Sequence, residues 1–245
     1  MNGFAWRGVF MLLGVLASPS LALAQSPPCP IPDDLALHDI ALPLAHAAFA
    51  AKHLTVLVVG GAASAGTAAG GSAYTMAARL QVRLREQLPG SEIEAVTRAV
   101  PRRTASVTVD SIETDLAQTG ARLVIWGVGD PEAGSGAGVD ALGDTVSEGI
   151  DKIHAAGADV ILMDLQFAPS IARVVDLEPY RAVVMRVGQD ADVPVLDRYE
   201  LMRSWSDDGV LDFDTTVPAE RVQVARQLFD CVAAALADGI ATALR

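Results

Sequence analysis

The sequence predicts a three-layer, doubly wound α/β domain built on a five-stranded, mostly parallel sheet. Three features of the chain point that way. Short apolar, β-branched runs alternate with segments of helical periodicity along most of its length. The first of these runs sits in Leu54 to Gly66 (LTVLVVGGAASAG) and lacks polar alternation, as expected of a strand buried on both faces. No internal repeat or linker-like tract interrupts the pattern, so one domain is expected.

Residues 1–24 read as a secretory signal peptide. Arg7 supplies a positive start, Val9 to Ala17 is an apolar core too short to span a bilayer, and Ala22-Leu23-Ala24 is a small-x-small cleavage site. Ser26-Pro27-Pro28 before Cys29 is not the apolar run of a lipoprotein signal. The mature protein would begin at Gln25, in the periplasm or outside the cell. Residues 25–53 then form an N-terminal arm and helix, and residues 54–245 the main domain. Roughly 220 residues are ample for a full core. The net charge is −12, with Lys52 and Lys152 the only lysines, so no basic stripe exists for phosphate backbones and nucleic acid is excluded as a partner. An even count of two cysteines in an exported chain favours a Cys29–Cys231 disulfide over two buried thiols. It would close a loop of about 200 residues, worth about 5 kcal/mol by loop-closure entropy.

Taken in order, Asp33 to Ala51 reads as an irregular helical lead-in broken or kinked by Pro43. His38, His46 and His53 fall in or just after it, spaced as packing or surface residues rather than as a metal cluster. A helix follows the first strand from Ala73 to Leu88, with Ala73, Met76, Ala77, Leu80 and Leu84 as its apolar stripe and Pro89-Gly90 as its stop. Glu92 to Val96 is a second strand and Thr104 to Thr119 a second helix. Arg122 to Trp126 and Val139 to Ala155 form the next pair, and Val160 to Met163 a fourth strand. Glu178 to Gln189 is helical, Pro194 to Leu196 a short fifth strand, and Pro218 to Leu244 a long terminal helix.

Gly60-Gly61-Ala62, with Ser64-Ala65-Gly66 behind it, resembles the first block of the SGNH/GDSL hydrolases, where a strand ends in a Gly-Asp-Ser or Gly-Ser-Ser turn. The resemblance implies the SGNH hydrolase, or flavodoxin-like, arrangement of the sheet. It puts Ala62 at the nucleophilic serine and Gly61 at the residue before it. At the third strand, Gly127-Val128-Gly129-Asp130 is similar to the family's Gly-x-Asn-Asp, with Gly129 at the oxyanion asparagine. Ala99 stands at the glycine that donates a backbone N–H, where that N–H could survive. The final Asp-x-x-His block falls on Asp212 to Thr215, or on Glu220 to Gln223, and carries no histidine in either register. His154, the last histidine in the chain, ends a helix before the fourth strand, away from the usual active-site rim. The run Met163 to Pro169 is similar to a segment some bacterial members carry.

The resemblance therefore implies the hydrolase framework with its chemistry dismantled, since nucleophile, oxyanion donor and base act as one unit. Gly61, Ala62, Ser64, Gly129 and Asp130 would line a binding cleft for a cell-envelope glycan, an acyl ester or a partner protein. No cofactor and no metal are called for. Two alternatives stay open. Ser64 could serve as a displaced nucleophile assisted by Asp130 or Asp212, although a serine without a nearby base is a poor one. Asp130, Asp164, Asp197 and the Asp207 to Asp214 group could line a rim that takes a hard cation. Gly61 to Gly66 mimics half of a phosphate loop, but Thr67-Ala68 follow where Lys-Ser/Thr is needed.

Overall fold

The computed structural model describes Met1 and residues 29–245. The expected signal peptide and the start of the arm lie outside the described residues.

Five strands form one sheet: β1 (His53–Val59), β2 (Glu92–Thr97), β3 (Leu123–Gly127), β4 (Asp159–Met163) and β5 (Val195–Leu196). Their order is β2-β1-β3-β4-β5 and every pairing is parallel. All of β1 beyond His53 is buried, as its unbroken apolar run requires. Alternate residues of the central strands feed two separate cores. Leu54, Val56, Val58, Ile125 and Ile161 pack against α1 (Pro43–Ala50), α3 (Met76–Gln87) and α10 (Pro218–Ala243). Leu57, Val59, Val124, Trp126 and Leu162 pack against α4 (Ala105–Thr119), α6 (Val139–Ala155) and α8 (Glu178–Asp190). The period of two along each strand thus sorts the helices into two outer layers.

Several expected boundaries shift for local reasons. Pro43 opens α1 at its first turn instead of kinking it, because a missing N–H costs nothing there. The carboxylate of Asp159, at the start of β4, accepts from the N–H groups of Leu44 and Ala45 at 2.9 and 2.8 Å and caps that helix from across the fold. Burial raises the Asp159 pKa, and those two N–H groups work against the rise. Helix α3 starts at Met76 and not Ala73, since Thr75 is its N-cap, accepting from Ala78 N at 3.1 Å. Between β1 and α3 the chain makes a one-turn helix, α2 (Ala62–Ala65), and two 3₁₀ turns. Three further helices add to those expected from the sequence: α5 (Asp130–Ser135), α7 (Pro169–Ala172) and α9 (Arg198–Asp207), the last burying Leu201, Met202 and Trp205 along one face. Cys29 and Cys231 form a disulfide with 5.5 Å between their Cα atoms, tying the arm to α10. Among the described residues no helix is long and apolar enough to cross a membrane.

Candidate functional site

The strand exits of a parallel sheet are where its helices begin and where open α/β folds bind ligands. At the end of β1, Gly60 takes φ +131°, and a Cβ there would stand 2.6 Å from the Gly127 carbonyl oxygen. Only glycine allows strands β1 and β3 to approach this closely at their exits. The turn that follows leaves Ala62 exposed and turns Ser64 inward. Ala62 and Ala63 floor a cleft of about 570 Å³. Its walls come from Arg102 and Thr104 after β2, from Asp130, Pro131, Gly134 and Ser135 after β3, and from Gln166, Ile171 and Leu177 after β4. A smaller hollow of about 220 Å³ adjoins it, sharing Thr104 and Ser135.

Ser64 does not line this cleft. It is fully buried, its hydroxyl has no partner, and a Cβ on Gly127 would sit only 2.9 Å from its Oγ. Among the described residues no basic side chain hydrogen-bonds to it. Gly61 is buried too, with Pro131 packed over its Cα.

Gly129 is the N-cap of α5, held at φ +92°. A Cβ built on it would lie 2.5 Å from Leu165 Cδ1, so the fully buried Leu165 fills the space a side chain at 129 would use. Ala99 is buried, and its N–H is directed to Thr97 Oγ1 at 3.3 Å. The donor expected to survive at this position is already engaged.

Asp130 does reach the cleft. Its Oδ1 accepts from the Gln166 N–H at 2.9 Å and its Oδ2 from Arg198 Nη2 at 2.7 Å. Arg198 is 1% exposed, follows β5 directly, and also donates to the Asp164 carbonyl. Its Nε and Nη1 are buried without partners. Behind it, Asp164 is fully buried, accepting from Tyr199 N at 3.0 Å and from Arg181 Nε at 3.2 Å. Arg181 also pairs with Asp197, Glu178 and Glu200, and stacks 4.1 Å from the Tyr199 ring. Burial, and then the neighbouring Asp197 charge, push the Asp164 pKa up to about 7. Arg198, the Tyr199 N–H and Arg181 pull the other way and do not prevail. Arg181 itself is raised, burial being outweighed by its several carboxylates, so its charge is shared rather than spent on Asp164 alone.

The carboxylates read as a possible rim are thus divided. Asp130, Asp164 and Asp197 meet two arginines, while Asp212 stays exposed and accepts from the Asp214 N–H at 3.0 Å within its own turn. Among the described residues no group of three or more His, Cys, Asp or Glu stands close enough to hold a metal ion. Thr215 donates to Glu220 at 2.6 Å and lies outside the cleft with Asp212. All four histidines belong to the opposite edge of the sheet. His53 begins β1 and pairs with Glu92, and His154 lies in the last turn of α6. His46 is in α1, held to the start of β4, and His38 bonds to Asp33 in the arm.

Arg198, Arg181, Leu165 and Gln166 gave no clear sign in the sequence. The only clue was the Asp197-Arg198 pair directly after an apolar strand, where charge is unusual unless it faces a site or a partner.

Sheet order, strand-exit cleft and helix layering define a protein of the SGNH/GDSL hydrolase class of folds. Solved structures similar to this chain say the same. The lipase/acylhydrolase from Enterococcus faecalis matches with TM-score 0.61 and 18% identity over 78% of this chain and 97% of its own. TesA matches with TM-score 0.59 and 23% identity over 74% and 97%. The esterase EstA from Pseudoalteromonas sp., inhibited by monoethylphosphonate, matches with TM-score 0.55 and 14% identity over 73% and 96%. At these identities they share the fold. Among curated proteins, none matches in sequence. The family described as Non-GDSL lipase-like matches residues 28–245, and the chain belongs to it.

Proposed function

We propose that this is an exported protein of hydrolase fold that binds an acyl ester or a related acylated ligand in the strand-exit cleft without cleaving it. One observation carries the reading. The floor of the cleft presents the methyl group of Ala62 at the position that the family resemblance gives to a nucleophile, while every histidine lies toward the strand starts. Attack by an alcohol needs a base within about 3 Å of its proton, and the chain offers no imidazole there. The filled space at Gly129 and the engaged Ala99 N–H support the same conclusion, since one lost oxyanion donor alone costs about 3 kcal/mol.

Ala62, Ala63, Pro131, Ile171 and Leu177 make the walls apolar, and Asp130, Gln166, Thr104 and Arg102 give one polar set to orient an ester group. Among the described residues no aromatic side chain lines the cleft for a sugar ring to stack on, which favours an acyl ligand over a glycan. Asp130 is held between Gln166 and Arg198 as an orienting carboxylate.

The test combines turnover and binding. Short-chain p-nitrophenyl esters should not be hydrolysed and a fluorophosphonate probe should not label the protein. A fluorescent fatty-acyl probe should bind saturably. Gly134→Trp should abolish that binding, because position 134 opens onto the cleft with no atom within 4 Å of a Cβ there. Ester turnover lost on Ser64→Ala would replace this reading with a displaced-nucleophile esterase.

A further inference from the structure

The mouth of the cleft carries a surface unlike the rest of the molecule. Val100 and Val107 flank Arg102 and Thr104 on one wall, and their relative exposures are 49% and 51%. On the facing wall Ile171 is 46% exposed and Val174 81%. These four are large apolar side chains left in water at a single edge of the sheet, on two separate connections that bracket one opening. The charge there also departs from the whole. The chain carries −12, yet residues 98–109 and 165–177 together hold four arginines, Arg98, Arg102, Arg103 and Arg173, against Asp176, with Asp110 and Glu178 just beyond them and Asp130 inside the cleft, so the rim is near neutral and not acidic. Arg98 and Arg103 are matched by Asp115 on α4, at 3.5 and 3.0 Å. Arg102 and Arg173 have no carboxylate within ion-pair distance among the described residues, and both are exposed.

We propose that this rim is a docking surface for an anionic phospholipid bilayer, which it meets with the cleft mouth facing the membrane. Exposed aliphatic side chains gain by entering the acyl boundary, and arginines beside them are drawn to anionic headgroups. A bilayer uses both features together and needs no complementary shape. A protein partner would instead be expected to find aromatic anchors, and neither connection presents an exposed one. The acidic remainder of the surface would then help orient the molecule, since this edge holds two arginines without carboxylate partners. The inference goes beyond the binding reading above and does not depend on it, because docking requires the rim and not an occupied cleft.

The test is co-sedimentation of the full mature chain with vesicles of phosphatidylcholine containing 30% phosphatidylglycerol, near 0.1 M salt. The protein should partition onto these vesicles, and raising the salt should release it. Ile171→Asp with Val174→Asp should lower the partition coefficient at least tenfold. Arg102→Glu with Arg173→Glu should lower it by a similar factor. Met185→Asp, at an exposed apolar position on α8 away from the cleft lining, should leave it unchanged. All four substituted rim positions are exposed, so thermal melts should match the parent. Gly134→Trp should bind vesicles at least as well as the parent even while losing the acyl probe, which separates the two proposals. Failure of the parent to sediment with these vesicles, or equal partition of either rim double variant, would overturn the inference.

Discussion

Leu165 and Gly129 exclude one another's side chains. A Cβ at 129 would lie 2.5 Å from Leu165 Cδ1, and Leu165 is fully buried. Any side chain introduced at 129 must therefore displace Leu165 from the core.

On the proposed non-catalytic reading, placing serine at 62 and asparagine at 129 should give no hydrolase. Gly129→Asn should destabilise the fold by about 1–3 kcal/mol through overpacking, visible as a lower midpoint in thermal denaturation. Adding Leu165→Ala should relieve the clash but open a cavity. Ala62→Ser, alone or with Gly129→Asn, should give no appreciable p-nitrophenyl ester hydrolysis, as no base stands near. Clear turnover by Ala62→Ser alone would show that a base had been overlooked.

Ser64→Ala should be neutral or slightly stabilising. The Ser64 hydroxyl is buried without a partner, and an unsatisfied buried hydroxyl costs about 1–3 kcal/mol. A midpoint lowered by several degrees would reveal a hydrogen bond to this hydroxyl and contradict the arrangement described.

Asp164 should make stability depend on pH. Its folded pKa is raised to about 7, mainly by burial, from an ordinary value near 3.8. Folding therefore favours the protonated acid. The stability contributed is fully present below about pH 4 and is lost as pH rises through 7. Denaturant unfolding between pH 4 and 8 should show this decline, and Asp164→Asn should flatten it. A decline that persists unchanged in the variant would assign the titration to another group.

Removing the disulfide should be costly. Cys29→Ser with Cys231→Ser opens a constraint across 202 residues, and native disulfides commonly contribute 2–5 kcal/mol, so about that loss is expected. Urea unfolding of the reduced parent should match the double variant. The arm should then also lose protection in amide exchange, since Trp205 Nε1 donates to the Pro30 carbonyl only while the arm is docked.

Much of this architecture could be read along the chain. The apolar run of β1, the stripe of α3 and the periodic core residues of α6 announce themselves, because strand and helix burial repeat at fixed intervals. Equally plain along the chain is that alanine stands at 62 and that no histidine follows His154. Less legible were α5 and α7, each too short for an apolar stripe, and α9, whose stripe of Leu201, Met202 and Trp205 covers only two turns. Arg198 illustrates the difficulty. Beyond its place just after an apolar strand nothing local distinguishes it, and its partners Asp130 and Asp164 lie 68 and 34 residues away.

By itself the sequence determined the layered α/β class, the order of its main elements and the identity of the residues at the strand exits, since these follow from local periodicity and composition. Only the tertiary structure decided that Ser64 turns into the core, that Leu165 fills the space beside Gly129, and that the acidic residues are divided between arginines. Those outcomes depend on which distant side chains compete for the same volume and the same charge, and that competition exists only once the chain has folded.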